Sequence, residues 1–124
     1  MNISPYVFPG LKYKEFMSKN VKFRKGKITP EEILSIVAKN CGVTSEQIIS
    51  KTRIGEVVEA RHILCGIMRN NFNYGLKSIG DFVGKRDHTT AINSIRTFKN
   101  RCELEEGYKD VVDRIVFDIE ERMY

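Results

Sequence analysis

From residue 29 onward, apolar residues recur at helical rather than strand spacing. Ile33, Ile36 and Val37 follow "TPEE" (29–32), where Thr29 suits an N-cap, Pro30 the first helical position and Glu32 the far end of a capping box. Gly42 suits the stop. "TSEQ" (44–47) repeats the pattern and opens a short helix through Ile48 and Ile49. From about Val57 to Asn71, the positions Ala60, Ile63, Leu64, Ile67 and Met68 make a long amphipathic helix. Gly66 within it favours close helix packing, at a cost of about 1 kcal/mol relative to alanine. "NFNYG" breaks that helix. "LKSIGDFV" (76–83) predicts a short helix, Gly84 a turn, and a longer helix starts near Asp87 with Ala91, Ile95, Phe98 and Cys102 as its buried stripe. Tyr108, Val111, Val112, Ile115, Val116 and Ile119 mark a last helix with acids outside. The expected fold is therefore all-α: a compact multi-helix domain. Its short helix, glycine turn and longer helix, 76 to about 102, form a helix-turn-helix candidate.

The first 28 residues differ. Pro5 and Pro9-Gly10 interrupt local structure, and "KYKEFMSKNVKFRKGK" mixes cations with aromatics without helical period. This predicts a basic-aromatic N-terminal arm (1–28) ahead of a domain at 29–124. Basic-aromatic interleaving can bind phosphates and stack on bases. Tyr6, Phe8, Phe16 and Phe23 favour instead partial packing on the domain or on a second copy.

Charge sharpens the division. Residues 1–28 hold seven Lys/Arg against one Glu (+6), and residues 51–101 hold ten against four acids (+6). Residues 29–50 carry −2 and residues 102–124 carry −5. A basic middle beside a basic arm points to a polyanion partner on one surface. The same balance also fits a solvated exterior in which middle and tail neutralise each other. No apolar run is long enough to span a membrane and the start lacks a secretory pattern, so a cytoplasmic chain is expected. Cys41, Cys65 and Cys102 are scattered and lack metal spacing; they read as reduced thiols, and no metal or cofactor is expected.

"GKRDHTT" (84–90) carries the candidate chemistry. In a helix-turn-helix the second helix enters the DNA major groove with its N-terminal residues on base edges. Asp87 can cap that helix or accept from a cytosine amine; Thr89 and Thr90 offer hydroxyls and methyls; His88 can donate to a purine. Lys85 and Arg86 can meet phosphates or guanine. Positions 88, 89 and 93 project away from the Ala91/Ile95/Phe98 stripe. Short-helix/turn/helix patterns also occur in ordinary bundles, where the same residues would merely decorate a surface. Asp87 and His88 form no catalytic dyad, because adjacent helical side chains diverge and no nucleophile stands beside them.

The stretch "IGDFVGKRDHTTAINSIRTF" (79–98), with "SKTR" (50–53) and "ARHI" (60–63) upstream, resembles the C-terminal DNA-binding domain (domain IV) of the DnaA family of bacterial chromosomal replication initiators. The resemblance runs from about Ile28 to Met123. It implies a helical domain binding short, asymmetric double-stranded DNA sites in replication origins. Asp87, His88, Thr89 and Thr90, with Arg86 alongside, match the family's major-groove readers, and Arg53 matches its minor-groove arginine. Arg61 matches a base- or backbone-contacting arginine and Arg69 a cation that approaches phosphate; Lys77 and Lys85 join the backbone set.

Several positions depart from the family pattern. Glu56 and Glu59 stand where small or basic residues are usual, His62 replaces Gln, and Lys77 replaces Pro. No G-x-x-x-x-G-K-[ST] loop occurs in the chain, which predicts a DNA-binding module and not an ATPase. The expected role is a replication or transcription regulator, monomeric on DNA, with arm-mediated self-association and replication proteins as further partners. The competing expectation, motivated by Glu56 and Glu59, is a protein-interaction module whose DNA surface has decayed.

Overall fold

Local side-chain-to-backbone hydrogen bonds start three of the six described helices, and there the sequence expectation holds. The computed structural model describes residues 21–123; the rest of the arm, with Tyr6, Phe8 and Phe16, lies outside the described residues. Helix α1 (Pro30–Cys41) opens with both halves of a capping box. The Glu32 N–H donates to Thr29 Oγ1 at 3.1 Å, and the Thr29 N–H donates to Glu32 Oε1 at 2.9 Å. It ends at Gly42, whose φ of 72° is left-handed and free of strain for glycine. Helix α2 (Ser45–Ile49) opens the same way on Thr44 and Gln47.

Helix α3 (Gly55–Asn70) is the central element. Val57, Ala60, Arg61 and every residue from Ile63 to Met68 are buried, so it is enclosed on nearly all sides. It begins two residues before the expected Val57, on Ile54, with no side-chain cap. Helices α4 (Leu76–Phe82) and α5 (His88–Leu104) form the helix-turn-helix, and α6 (Glu106–Met123) closes the domain against α1 and α5. Two polar ties join α1 to α6: Arg122 Nη2 lies 2.6 Å from Glu32 Oε2, and Asn40 Nδ2 donates to Asp118 Oδ2 at 3.0 Å. The described residues contain no strand.

One core joins all six helices and includes Ile33, Val37, Ile48, Leu64, Ile67, Ile79, Ala91, Ile115 and Ile119. Burying each of the Val, Ile and Leu side chains is worth about 1.5–3 kcal/mol relative to exposure. The α3–α5 crossing depends on Gly66: a Cβ there would come within 2.1–2.4 Å of Phe98 ring atoms. The described end of the arm packs on the far end of α3. The Phe23 N–H donates to the Asn71 carbonyl at 2.7 Å, its ring sits 5.1 Å from that of Phe72, and Ile28 is buried. No described helix is long and apolar enough to cross a membrane.

Candidate nucleic-acid interface

The turn between α4 and α5 is built by backbone geometry before any functional side chain is considered. Gly84 has φ 96° and Lys85 φ 59°, two successive left-handed residues that reverse the chain. The Arg86 N–H donates to the Gly80 carbonyl at 2.7 Å. At Gly80 a Cβ would collide with the Arg86 carbonyl, so only glycine lets the turn lie this close to α4.

Asp87 then caps α5, accepting from the Thr90 N–H at 2.9 Å. Hydrogen bonds from Thr90, backbone first and side chain next, hold the Asp87 carboxyl below its usual range, so it is ionised at neutral pH. His88, Thr89, Thr90 and Asn93 are exposed, while Ala91, Ser94, Ile95 and Phe98 face the core. The expected outward face is thus present at the N-terminus of α5. Arg96 continues it: it stands seven residues after Thr89 and three after Asn93, and is exposed. Helical arithmetic alone marks Arg96 as part of this face, but the motif-led reading stopped at Thr90. With Arg69, Leu76, Ile95 and Lys99 it lines a concavity of about 280 Å³.

Beside this face runs the loop 51–54. Lys51 and Arg53 are exposed, and among the described residues Lys51, Arg53, Lys85 and Arg96 make no ion pair. Lys77 is exposed and 3.3 Å from Asp81, an exposed pair of little strength. Arg69 donates to the Tyr74 carbonyl at 3.0 Å at the end of α3.

Two arginines stand differently from expectation. Arg61, expected at the DNA backbone, is only 6% exposed. Its guanidinium donates to the carbonyls of Ile48 (2.7 Å), Ser50 (3.0 Å), Thr52 (3.3 Å) and Gln47 (3.3 Å). Burial and the neighbouring Arg86 charge lower its proton affinity. Arg86, expected among the base readers, is half-buried and donates to the Ser50 carbonyl at 2.8 Å and to the Val83 carbonyl. Both guanidinium groups are committed to backbone acceptors at the end of α2, in the loop after it and, for Arg86, at the end of α4. With Lys51, Thr52, Arg53 and Val58 they line a concavity of about 430 Å³.

The acids that motivated the competing expectation also separate. Glu59 is 3.2 Å from Arg101, which is forked onto Glu105 near the other end of α5, so its charge is offset there. Glu56 is exposed. The Cys41, Cys65 and Cys102 thiols are each pushed up to about 11, chiefly by burial, and stay protonated at neutral pH. Among the described residues no group of His, Cys, Asp and Glu could hold a metal.

His62 offers a pH test. Burial first, then the Arg61 and Arg101 charges, push its pKa below the usual 6.5, with Glu59 opposing. The unfolded chain then binds the proton more readily, so stability is full above about pH 6.5 and is lost as pH falls through the folded value. Thermal melting from about pH 7.5 down to about pH 5 should show a falling midpoint that His62→Gln flattens.

Fold and exposed face together define a double-stranded DNA-binding helix-turn-helix. The chain matches the family described as bacterial DnaA protein helix-turn-helix over residues 30–97, and it belongs to that family. Three relatives are each called chromosomal replication initiator protein DnaA. The one from Bacteroides fragilis is 28% identical over 102 residues, covering 82% of this chain and 21% of the relative. That from Spiroplasma citri is 32% identical over 96 residues (77% and 21%), and that from Ureaplasma parvum 39% over 71 residues (57% and 16%). The chain spans about a fifth of the length of the curated relatives it matches. The matched region is the helix-turn-helix and not an ATPase domain.

Proposed function

We propose that the domain reads a short, asymmetric duplex sequence of the replication-origin initiator type, and acts there in replication or transcription control. The observation that carries this reading is the exposed, Asp87-capped first turn of α5 opposite the buried Ala91, Ser94, Ile95 and Phe98, beside a cation-bearing loop. Asp87, His88, Thr89 and Thr90 are the proposed major-groove readers and Arg53 the minor-groove contact. Lys77, Lys85 and Arg69 are the proposed phosphate contacts, with Arg96 added to them. Residues 29–124 are taken as the reading module and 1–28 as an arm, whose described end is tied to α3. The relatives' name, chromosomal replication initiator protein, supports the choice of site type.

Asp87 has a double role in this reading. Its cap fixes the start of α5, and its negative charge penalises bases that offer only acceptors at that point. The Glu59–Arg101 pair weakens the interaction-module alternative, since one of its two motivating acids is already matched.

Binding measured against salt separates the two kinds of contact. Thr89→Ala and Thr90→Ala should each weaken the preferred duplex by about 1–3 kcal/mol and leave the salt slope unchanged. Lys77→Ala should weaken all duplexes alike and flatten that slope by about one unit. If threonine and lysine variants behave alike on preferred and scrambled duplexes, the proposed division of labour is wrong.

A further inference from the structure

Ser50 sits at an unusual junction. Its carbonyl accepts from Arg61 of α3 at 3.0 Å and from Arg86 of the helix-turn-helix turn at 2.8 Å. Arg86 holds the Val83 carbonyl with the same guanidinium, so one side chain spans from the turn to the loop start. Gly84 closes the junction: a Cβ on it would come within 2.5 Å of the Ile49 carbonyl oxygen, at a φ of 96° that disfavours any side chain. Three residues beyond Ser50 stands Arg53, the proposed minor-groove contact. One residue beyond Arg86 stands Asp87, the proposed first major-groove reader.

We infer that Arg86 is a positioning residue that sets the spacing between the two reading elements, and does not itself read a base. This rests on the proposed sequence-selective function and deepens it. A guanidinium is suited to the task because its planar fork engages separate acceptors with fixed geometry, which an ammonium on a flexible stem does not. Its cation also stays in the groove wall, so the local field is retained while the direct contact is given up. Arg61 ties the loop 51–54 to α3 through the Ser50 and Thr52 carbonyls, whereas the Arg86 bond to Ser50 ties it to the helix-turn-helix turn, and the α3 start on Ile54 carries no side-chain cap. Released from Arg86, the loop would keep its charge and lose its register against α5. A base contact worth roughly tenfold would then be lost through misplacement alone.

The test is a double-mutant cycle on the full chain, read as affinity for a selected duplex, for its single-base variants and for a scrambled duplex. Arg86→Lys should weaken the selected duplex about tenfold, relax preference only at the base pairs that Arg53→Ala also relaxes, and leave the salt slope and scrambled-duplex affinity within about twofold. In the Arg53→Ala background the same change should cost less than about twofold. Gly84→Ala, which keeps every charged side chain but pushes on both the Arg86 guanidinium and the Ile49 carbonyl, should reproduce the pattern and keeps the test available if Arg86→Lys fails to fold. Equal costs of Arg86→Lys in both backgrounds, or relaxed preference at base pairs assigned to Asp87–Thr90, would overturn the inference while the wild type still selects. A wild type that binds selected and scrambled duplexes equally overturns both the inference and the function beneath it.

Discussion

Arg61→Ala should destabilise the domain by about 3 kcal/mol or more, lowering the melting midpoint by roughly 10–15 °C. Four carbonyls, those of Gln47, Ile48, Ser50 and Thr52, accept from this one buried guanidinium. Truncation would remove the Arg61 donors from the Ile48 and Thr52 carbonyls, whereas the Gln47 carbonyl keeps the Ser50 N–H and hydroxyl and the Ser50 carbonyl keeps Arg86. A hydrogen bond to a charged donor is worth about 1.5–3 kcal/mol, and several share one side chain here, so the total falls below the simple sum. Arg61→Lys should recover only part of the loss, since one nitrogen cannot reach four acceptors. Denaturant titration, with an unchanged slope and a lowered midpoint, measures this directly. Wild-type stability of Arg61→Ala, together with a flattened salt dependence of DNA binding, would return Arg61 to the DNA backbone.

Gly66→Ala comes next in size, at about 2–3 kcal/mol. The added methyl would lie 2.1 Å from the nearest Phe98 ring atom, well inside contact distance. Phe98 has little room to yield: it is 4% exposed and packs edge-on against Tyr108 at 6.4 Å between ring centres. The strain must therefore push α5 away from α3, and the outward face of α5 moves with it. Phe98→Leu in the Gly66→Ala background should cost much less than Phe98→Leu alone, because the smaller side chain leaves room for the methyl. Denaturation of the four proteins decides it. Additive losses would mean that the helices part without using the Phe98 space.

Helix starts were legible wherever the signal is local. Thr29 with Glu32, Thr44 with Gln47, and Asp87 with Thr90 all form bonds within three residues, so residue type and spacing suffice. The start of α3 was misplaced by two residues because Ile54 makes no such bond. The outward face of α5 was likewise legible, since a buried stripe at 91, 95 and 98 dictates what lies opposite.

The inward arginines were less legible. Arg61 stands four residues after Val57 and three before Leu64, so helical period already put it on the buried face; its charge argued against a position that the spacing required. Arg86 gave no local clue at all. Its acceptor on Ser50 is 36 residues away and exists only because α2 and the helix-turn-helix turn meet in three dimensions. The Glu59–Arg101 pair is hidden in the same way, across 42 residues of chain. Charge patterning shows how many cations a segment carries, and tertiary contacts decide which of them remain available to a phosphate.

The central claim is that the first turn of α5 selects sequence, and selection from a random duplex pool under increasing salt tests it most directly. Wild-type protein should enrich one short asymmetric motif and bind it at least about 10³-fold more tightly than a scrambled duplex at moderate salt. Thr89→Ala should change the enriched motif at one or two adjacent base pairs and leave the remainder intact. Recovery of no motif, with equal affinity for every duplex at moderate salt, would contradict the claim and leave only a basic surface.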